Sequence, residues 1–179
     1  MNIVTIILLT IPGIIILFLI IGLFIKKDYT VEREITINKD KKEVFDFIKM
    51  LKNQDQYNVW VMMDPNSKRT YKGNDGTEGF EYTWESENKR VGHGLQTIKK
   101  IYENNRIEFE LHFIKPFEGR SIAYMTTDAV GENQTKLKWG LYSKMKYPMN
   151  IMLLFMNLVK MLGDDLSVSL STLKKVLET

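Results

Sequence analysis

The hydrophobic and polar positions of this 179-residue chain follow three successive patterns. Residues 1–25 contain no charged side chain, and the apolar run over residues 3–25 is interrupted only by two threonines, one proline and two glycines. Residues 29–37 and 68–144 show repeated alternation of apolar and polar positions, which is typical of strands with one buried face. The remaining C-terminal residues return to the spacing of an amphipathic helix.

The first pattern predicts a transmembrane anchor over residues 1–27. As a helix, residues 3–25 span roughly 35 Å, against a hydrocarbon core of about 30 Å. A cleavable signal peptide is the alternative, but it needs basic residues before a shorter apolar run and a small-residue cleavage site. Lys26 and Lys27 follow the run, so the positive-inside rule predicts a single-pass membrane protein whose C-terminal domain, residues 28–179, is cytoplasmic.

The middle of the chain predicts an antiparallel sheet of about six to seven strands. An opening strand at residues 29–37 is followed by two short helices, and residues 106–113 then show the cleanest alternation. Because short turns rich in glycine and asparagine separate consecutive strands, we expect a meander with one buried and one wet face.

The last part of the chain, from Pro148 onward, predicts one long helix laid on this sheet. Residues 149–162 are apolar enough to suggest a second membrane segment. They are only about fourteen residues long and contain Asn150, Asn157 and Lys160, so the long helix is the better interpretation. A curved sheet around one long helix is an α+β architecture.

Composition excludes several function classes. The 25 basic and 22 acidic residues nearly balance, at a net charge of +3, whereas a nucleic-acid-binding domain would show a basic face. The chain has no cysteine and only His93 and His112, which excludes thiol catalysis and the common Cys/His metal sites. Glu108, Glu110 and His112 share the polar face of one strand, where solvation is the expected role. We therefore predict no catalytic residue, metal site or cofactor.

Short motifs occur in a set order across residues 29–178. They are residues 31–48 (VEREITINKDKKEVFDFI), Tyr82 and Trp84, Asn88, Gly92 and Gly94, Phe113 and Pro116, Thr135 and Trp139, and Gly163, Asp164, Asp165, Leu170, Leu173 and Lys174. Together with the order of elements, this set resembles the SRPBCC superfamily of START-like or polyketide cyclase/dehydrase-like helix-grip proteins. Ser169 departs from the glycine common in relatives. The resemblance implies a helix-grip fold but not one function, since the superfamily spans lipid and sterol carriers, aromatic cyclases and chaperone-binding modules.

In such a fold, facing apolar side chains would bound a cavity between sheet and helix, although the same side chains could pack a closed core. The ligand-binding residues expected on this basis are Tyr57, Trp60, Tyr82, Trp84, Phe109, Leu111, Phe113, Trp139, Met149, Met152, Phe155 and Met156. The leading hypothesis is a membrane-anchored domain that binds a hydrophobic small molecule or lipid. The alternatives are a cyclase- or dehydratase-type enzyme acting on an apolar substrate, and a protein-interaction module.

Overall fold

Seven antiparallel strands form one sheet in the computed structural model, which describes residues 3–179 apart from the side chains of residues 4–9. The strands are β1 Asp28–Ile37, β2 Lys68–Lys72, β3 Glu81–Glu85, β4 His93–Tyr102, β5 Arg106–Lys115, β6 Gly119–Gly131 and β7 Gln134–Lys144. The helices are α1 Ile3–Phe24, α2 Lys41–Lys49, a 3₁₀ helix Leu51–Gln56, α3 Val59–Met62, a 3₁₀ turn Met149–Ile151, α4 Met152–Phe155 and α5 Leu158–Glu178.

The strand order is β1-β7-β6-β5-β4-β3-β2, so the meander from β2 to β7 is completed by the first strand pairing with the last. Alternate residues of each strand point to the same face, and on one face these residues meet α2, α3 and α5 in a single apolar core. The predicted α+β fold with a seven-stranded antiparallel sheet and a C-terminal helix is confirmed.

Different helices lie at the two ends of the sheet. At the α1 end, β1 begins beside α1 and β7 finishes opposite it, with Asp28 paired to Lys144. At the far end, β1 finishes at Ile37 just before α2, and the last turn of α5 reaches it, because Glu178 accepts a hydrogen bond from the Asn38 backbone N–H at 2.6 Å.

The predicted single long helix is wrong at one point. Met156 has an extended backbone (φ −112°, ψ 121°), and the Asn157 side chain accepts a hydrogen bond from the Lys160 N–H at 3.0 Å. Asparagine in this position starts a new helix by satisfying a free N–H group. The chain therefore forms a 3₁₀ turn and a short α4 before α5 begins, although the apolar residues continue across the break.

The N-terminal helix was expected to be the membrane-spanning anchor. Met1, Asn2 and the side chains of residues 4–9 belong to that prediction and lie outside the described part of the chain. Within the described part, no helix is both long and apolar enough to cross a membrane. The structure thus gives the predicted anchor no support.

Candidate functional site

A cavity of about 200 Å³ lies between the concave face of the sheet, α3 and the first half of α5. Its lining residues are Gln54, Asn58, Trp60, Val61, Ser67, Tyr82, Trp84, Arg90, Val91, Gln96, Leu111, Phe113, Ala123, Trp139, Leu141, Leu162 and Leu166. Most of these side chains are aliphatic or aromatic. The sheet and the long helix therefore do not close completely on each other, and the space between them is mainly apolar.

Aromatic rings form much of the wall. Trp60 and Trp139 meet edge to face with centroids 6.4 Å apart, and Trp84 meets Phe113 in the same way at 6.2 Å. Tyr82 lies beside Trp84 at 5.7 Å on the same strand. Such tilted pairs are a favourable arrangement of ring quadrupoles. They hold the wall side chains in definite positions around the empty space.

Glycine in β4 makes room for one of these rings. A Cβ atom built on Gly94 would collide with the indole of Trp84, which lies on the facing strand β3. The indole Nε1–H of Trp84 donates to the Val91 carbonyl at 3.1 Å. The glycine-rich start of β4, one of the motifs noted in the sequence, thus seats a tryptophan that lines the cavity.

Four polar side chains deep in the structure also face this space. Tyr82 and Gln96 are direct cross-strand neighbours, and Gln54 and Asn58 are 1% and 6% exposed. Gln54 is partly satisfied, because Asn58 Nδ2 donates to its Oε1 at 3.0 Å. The Gln96 side chain forms no hydrogen bond with any described residue, so its amide is free to pair with a bound molecule.

Burial changes the acid–base chemistry of the cavity tyrosine. Desolvation raises the pKa of Tyr82 to about 12, so the hydroxyl remains protonated at neutral pH. Among the described residues, the lining contains no histidine, aspartate or glutamate. Apart from Arg90 at the rim, the described lining therefore offers neutral hydrogen-bond donors and acceptors and no imidazole or carboxylate base.

A charged pair lies at the rim. Arg90, in the turn between β3 and β4, approaches Asp165 of α5 with 3.5 Å between Nη2 and Oδ2. The pair connects the turn to the helix across the edge of the cavity. Because Arg90 is exposed, the contact is one that solvent can break and reform.

The predicted ligand-binding residues separate into three groups. Trp60, Tyr82, Trp84, Leu111, Phe113 and Trp139 line the cavity. Tyr57 and Phe109 are completely buried beside it, and the Tyr57 ring meets Trp139 edge to face at 6.0 Å. Met149, Met152, Phe155 and Met156 are not among the lining residues. The segment that carries them precedes the break at Asn157, and it contacts α1 through the turn Met149–Ile151 and the Phe155 ring.

Tyr57 carries a buried hydroxyl without a hydrogen-bond partner among the described residues. Burial alone raises the pKa of this phenol well above its usual value. The sequence prediction missed the polar lining residues Gln54, Asn58 and Gln96. Only Gln96 left a signal, since it interrupts the inward-facing positions of β4 between Gly94 and Ile98.

The two histidines lie outside the cavity. His93 lines a shallow polar groove at the α1 end, and His112 is on the opposite face of the sheet, where its Nε2 is 3.6 Å from Glu118 Oε1. Among the described side chains, no group of three or more histidines and carboxylates is placed to hold a metal ion.

Comparison with known proteins places the fold. No family model and no curated protein matches the chain. The crystal structure of Ara h 8.0201 matches 84% of this chain and 97% of its own at 13% identity and a TM-score of 0.57. Truncated norcoclaurine synthase from Thalictrum flavum matches 84% of this chain and 93% of its own, at 10% identity and a TM-score of 0.60. The Aha1 dimer from Colwellia psychrerythraea matches 84% of this chain and 96% of its own, at 14% identity and a TM-score of 0.58.

These neighbours are helix-grip folds of the Bet v1-like, SRPBCC type. The fold implied by the sequence motifs is therefore shared with them over 84% of the chain. One neighbour is a synthase by name and another a dimer of a protein named Aha1, so the likeness shows the fold and not a common activity.

Proposed function

We propose that this domain binds a small, mainly apolar molecule with one hydrogen-bonding end in the cavity between sheet and helix. The observation that supports the proposal best is the Gln96 amide, which has no hydrogen-bond partner among the described residues and lies in a mainly aromatic and aliphatic wall. A hydrogen bond within a protein contributes about 0.5–1.5 kcal/mol net. A ligand that pairs with this amide while its body fills the apolar cavity would gain that contribution in addition to the burial of its apolar surface.

The cavity volume limits the size of the ligand. Drug-sized ligands occupy pockets of about 300–1,000 Å³, whereas this cavity measures about 200 Å³. It fits a molecule of one or two rings, or one end of a longer chain. For a lipid or isoprenoid, we therefore expect only part of the molecule to enter, with the remainder leaving past Arg90 and Asp165.

Binding is favoured over the cyclase or dehydratase alternative. General acid–base catalysis needs a titratable group within reach of the substrate, with a pKa near the working pH. In the lining described here, the titratable groups are Tyr82 and Arg90, and burial raises the pKa of Tyr82 to about 12, far from the working pH. The protein-interaction alternative has no observation of its own at this site.

We further propose that α1 attaches the domain to a membrane, with the domain on the cytoplasmic side. The charge-free sequence of residues 1–25 and the lysines that follow it support this location. Resistance of the chain to alkaline carbonate extraction tests the attachment. A single cysteine replacing Tyr102, labelled with an impermeant maleimide in lysed but not in intact cells, tests the side.

Calorimetric titration with 2-naphthol, a neutral two-ring probe with one hydroxyl, tests the cavity. The full chain in detergent micelles is compared with Ala123→Leu, which fills the cavity, and with Ala129→Leu, which adds the same group at an exposed position of the same strand. Subtracting the heat measured with one variant from that measured with the other removes the heat of partition of the probe into the micelles. We expect saturable heat from the native chain and Ala129→Leu only. Equal heats from all three proteins would contradict the proposal.

A further inference from the structure

The segment from Met149 to Met156 exposes consecutive large apolar side chains. Leu154 is 55% exposed and Phe155 69% exposed, and Met156 follows them. Single exposed apolar residues are ordinary on protein surfaces, but a contiguous group marks a site of contact with a partner or a membrane. Because these residues lie outside the cavity, their apolar character needs a separate explanation.

This segment packs along the C-terminal turns of α1. Ile151 lies against Gly22, where a Cβ atom would be 2.8 Å from Ile151 Cγ1, and the rings of Phe155 and Phe18 are 5.9 Å apart. The segment thus runs antiparallel to α1. Phe18 lies seven residues before Ile25, so Phe155 is level with a point roughly 10 Å from the end of the apolar run.

Polar groups hold the segment in this position. Asn150 is completely buried, and its Nδ2 donates to the carbonyls of Gly22 at 2.7 Å and Ile25 at 3.2 Å. The hydroxyl of Tyr147 donates to the Leu19 carbonyl at 3.3 Å. The last carbonyls of a helix have no partner within the helix, so the Asn150 bonds complete the end of α1. The Tyr147 bond attaches the segment to α1 one turn earlier.

Lysines gather where α1, β1 and β7 meet. The Met145 N–H donates to the Lys27 carbonyl at 2.7 Å, which brings Lys27 near Lys144 and Lys146. None of these three lysines has an acidic partner within 4 Å among the described residues, whereas Lys26 is 3.7 Å from Asp28. Unpaired lysines beside an exposed apolar segment complement anionic lipid headgroups.

We infer that residues 149–156 form a second membrane-contacting element, which lies in the headgroup region of an anionic phospholipid bilayer with Lys27, Lys144 and Lys146 around it. The inference rests on the proposed attachment of α1 to a membrane. Interfacial helices bury their apolar face about 5–10 Å into the boundary between headgroups and acyl chains. The level of Phe155 along α1 agrees with that depth. The α1 end of the sheet, which carries the cavity rim, would then lie against the leaflet.

Single cysteines test the inference directly, because the chain has none of its own. The full chain is reconstituted in nanodiscs of phosphatidylcholine mixed with phosphatidylglycerol, with an environment-sensitive dye on Phe155→Cys, Leu154→Cys, Ile14→Cys or Tyr102→Cys. Ile14 reports on α1, and Tyr102, also exposed, lies at the far end of the sheet. Quenching by brominated lipid is compared with quenching by iodide in solution.

We expect several-fold stronger quenching by brominated lipid at positions 154, 155 and 14 than at position 102. Quenching at position 14 but not at 154 or 155 would overturn the inference and leave the attachment of α1 intact. No lipid quenching at position 14 would overturn both.

A charge series tests the role of the lysines in the same nanodiscs. Replacing Lys27, Lys144 and Lys146 by glutamine should reduce lipid quenching at position 155 toward its value in pure phosphatidylcholine. The matched control replaces Lys41, Lys138 and Lys175, which also lack an acidic partner within 4 Å among the described residues but lie toward the far end. Equal effects of the two triple substitutions would contradict the assigned role.

Discussion

The two ends of the sheet are built from the same strands but are filled differently. In the first half of β5, Ile107 and Phe109 are completely buried against the helices. In the second half, Leu111 and Phe113 keep the same alternation but are only partly buried, and they line the cavity. The alternation of apolar and polar residues therefore determines on which face of the sheet a side chain lies. The elements that cover that face determine whether the side chain packs in a closed core or lines a cavity.

The covering elements explain the difference. At the far end, α2 contributes Val44, Phe45 and Ile48, all completely buried, and the last turns of α5 add Leu173. At the α1 end, the cover consists of the short α3 and the beginning of α5. The chain breaks before α5 at Met156, so no apolar turn precedes α5 over the cavity. A closed core and an open cavity thus share one sheet.

The largest expected effect compares two phenylalanines on β5. Phe109→Ala should lower the free energy of unfolding by about 3–5 kcal/mol, as for a fully buried phenylalanine. Phe113→Ala should cost only about 1–2 kcal/mol, because this side chain is partly exposed and already borders a void. Urea unfolding of both variants measures the difference. Similar losses at the two positions would mean that the cavity end is packed like the core.

Much of this fold could be predicted from the sequence, because periodicity is a local property. The strand at residues 106–113 and the turn glycines of β4 are read directly from alternation and turn residues. The break at Asn157 could not be predicted from periodicity, since Phe155, Met156 and Leu158 continue the apolar pattern across it. The helix pattern therefore assigned Met149 and Met152 to the cavity, although neither lines it and their segment contacts α1.

The sequence predicted the cavity only as one of two outcomes, the other being a closed core. Six of the twelve proposed ligand-binding residues line it, but no local pattern distinguishes Phe113, which faces the void, from Phe109, which does not. That distinction depends on how closely α3 and α5 approach the sheet. Gln54 and Asn58 could not be identified, because a short helix with polar residues looks the same whether it faces solvent or a cavity.

The next effect concerns the pH dependence of the cavity end. Burial raises the folded-state pKa of Tyr82 to about 12, above an unfolded value of about 10. The protonated phenol therefore contributes stability that is fully present below pH 10 and is lost as the pH rises to 12, by about 1–3 kcal/mol. Unfolding curves measured from pH 9 to 12 for the native chain and Tyr82→Phe check this. The raised pKa of Tyr57 contributes a loss of stability that is common to both proteins. If the free energy of unfolding falls equally in both, the additional loss is not due to Tyr82.

Replacing Gln96 should have opposite effects on the free energy of unfolding and on the binding of a hydroxylated probe. Gln96→Leu places an apolar side chain against the apolar wall of the cavity and should raise the free energy of unfolding by about 1 kcal/mol. It should also remove the preference for 2-naphthol over naphthalene, which we expect to be about five- to tenfold in the native chain. Gln96→Met, which keeps the length of the side chain, should behave in the same way. A retained preference in both variants would show that another group binds the hydroxyl.

The smallest expected effect compares two glycines of α1 and tests how residues 149–156 pack against this helix. Gly22→Leu forces Ile151 away from the helix, whereas a Cβ at Gly13 meets nothing within 4 Å. In hydrogen exchange, the amides of Ile151 and Met156 should exchange faster in Gly22→Leu and remain unchanged in Gly13→Leu. The global free energy of unfolding should change by less than about 0.5 kcal/mol in either, because the core at the far end is untouched. If exchange is equally fast in both variants, the contact between α1 and the segment does not depend on Gly22.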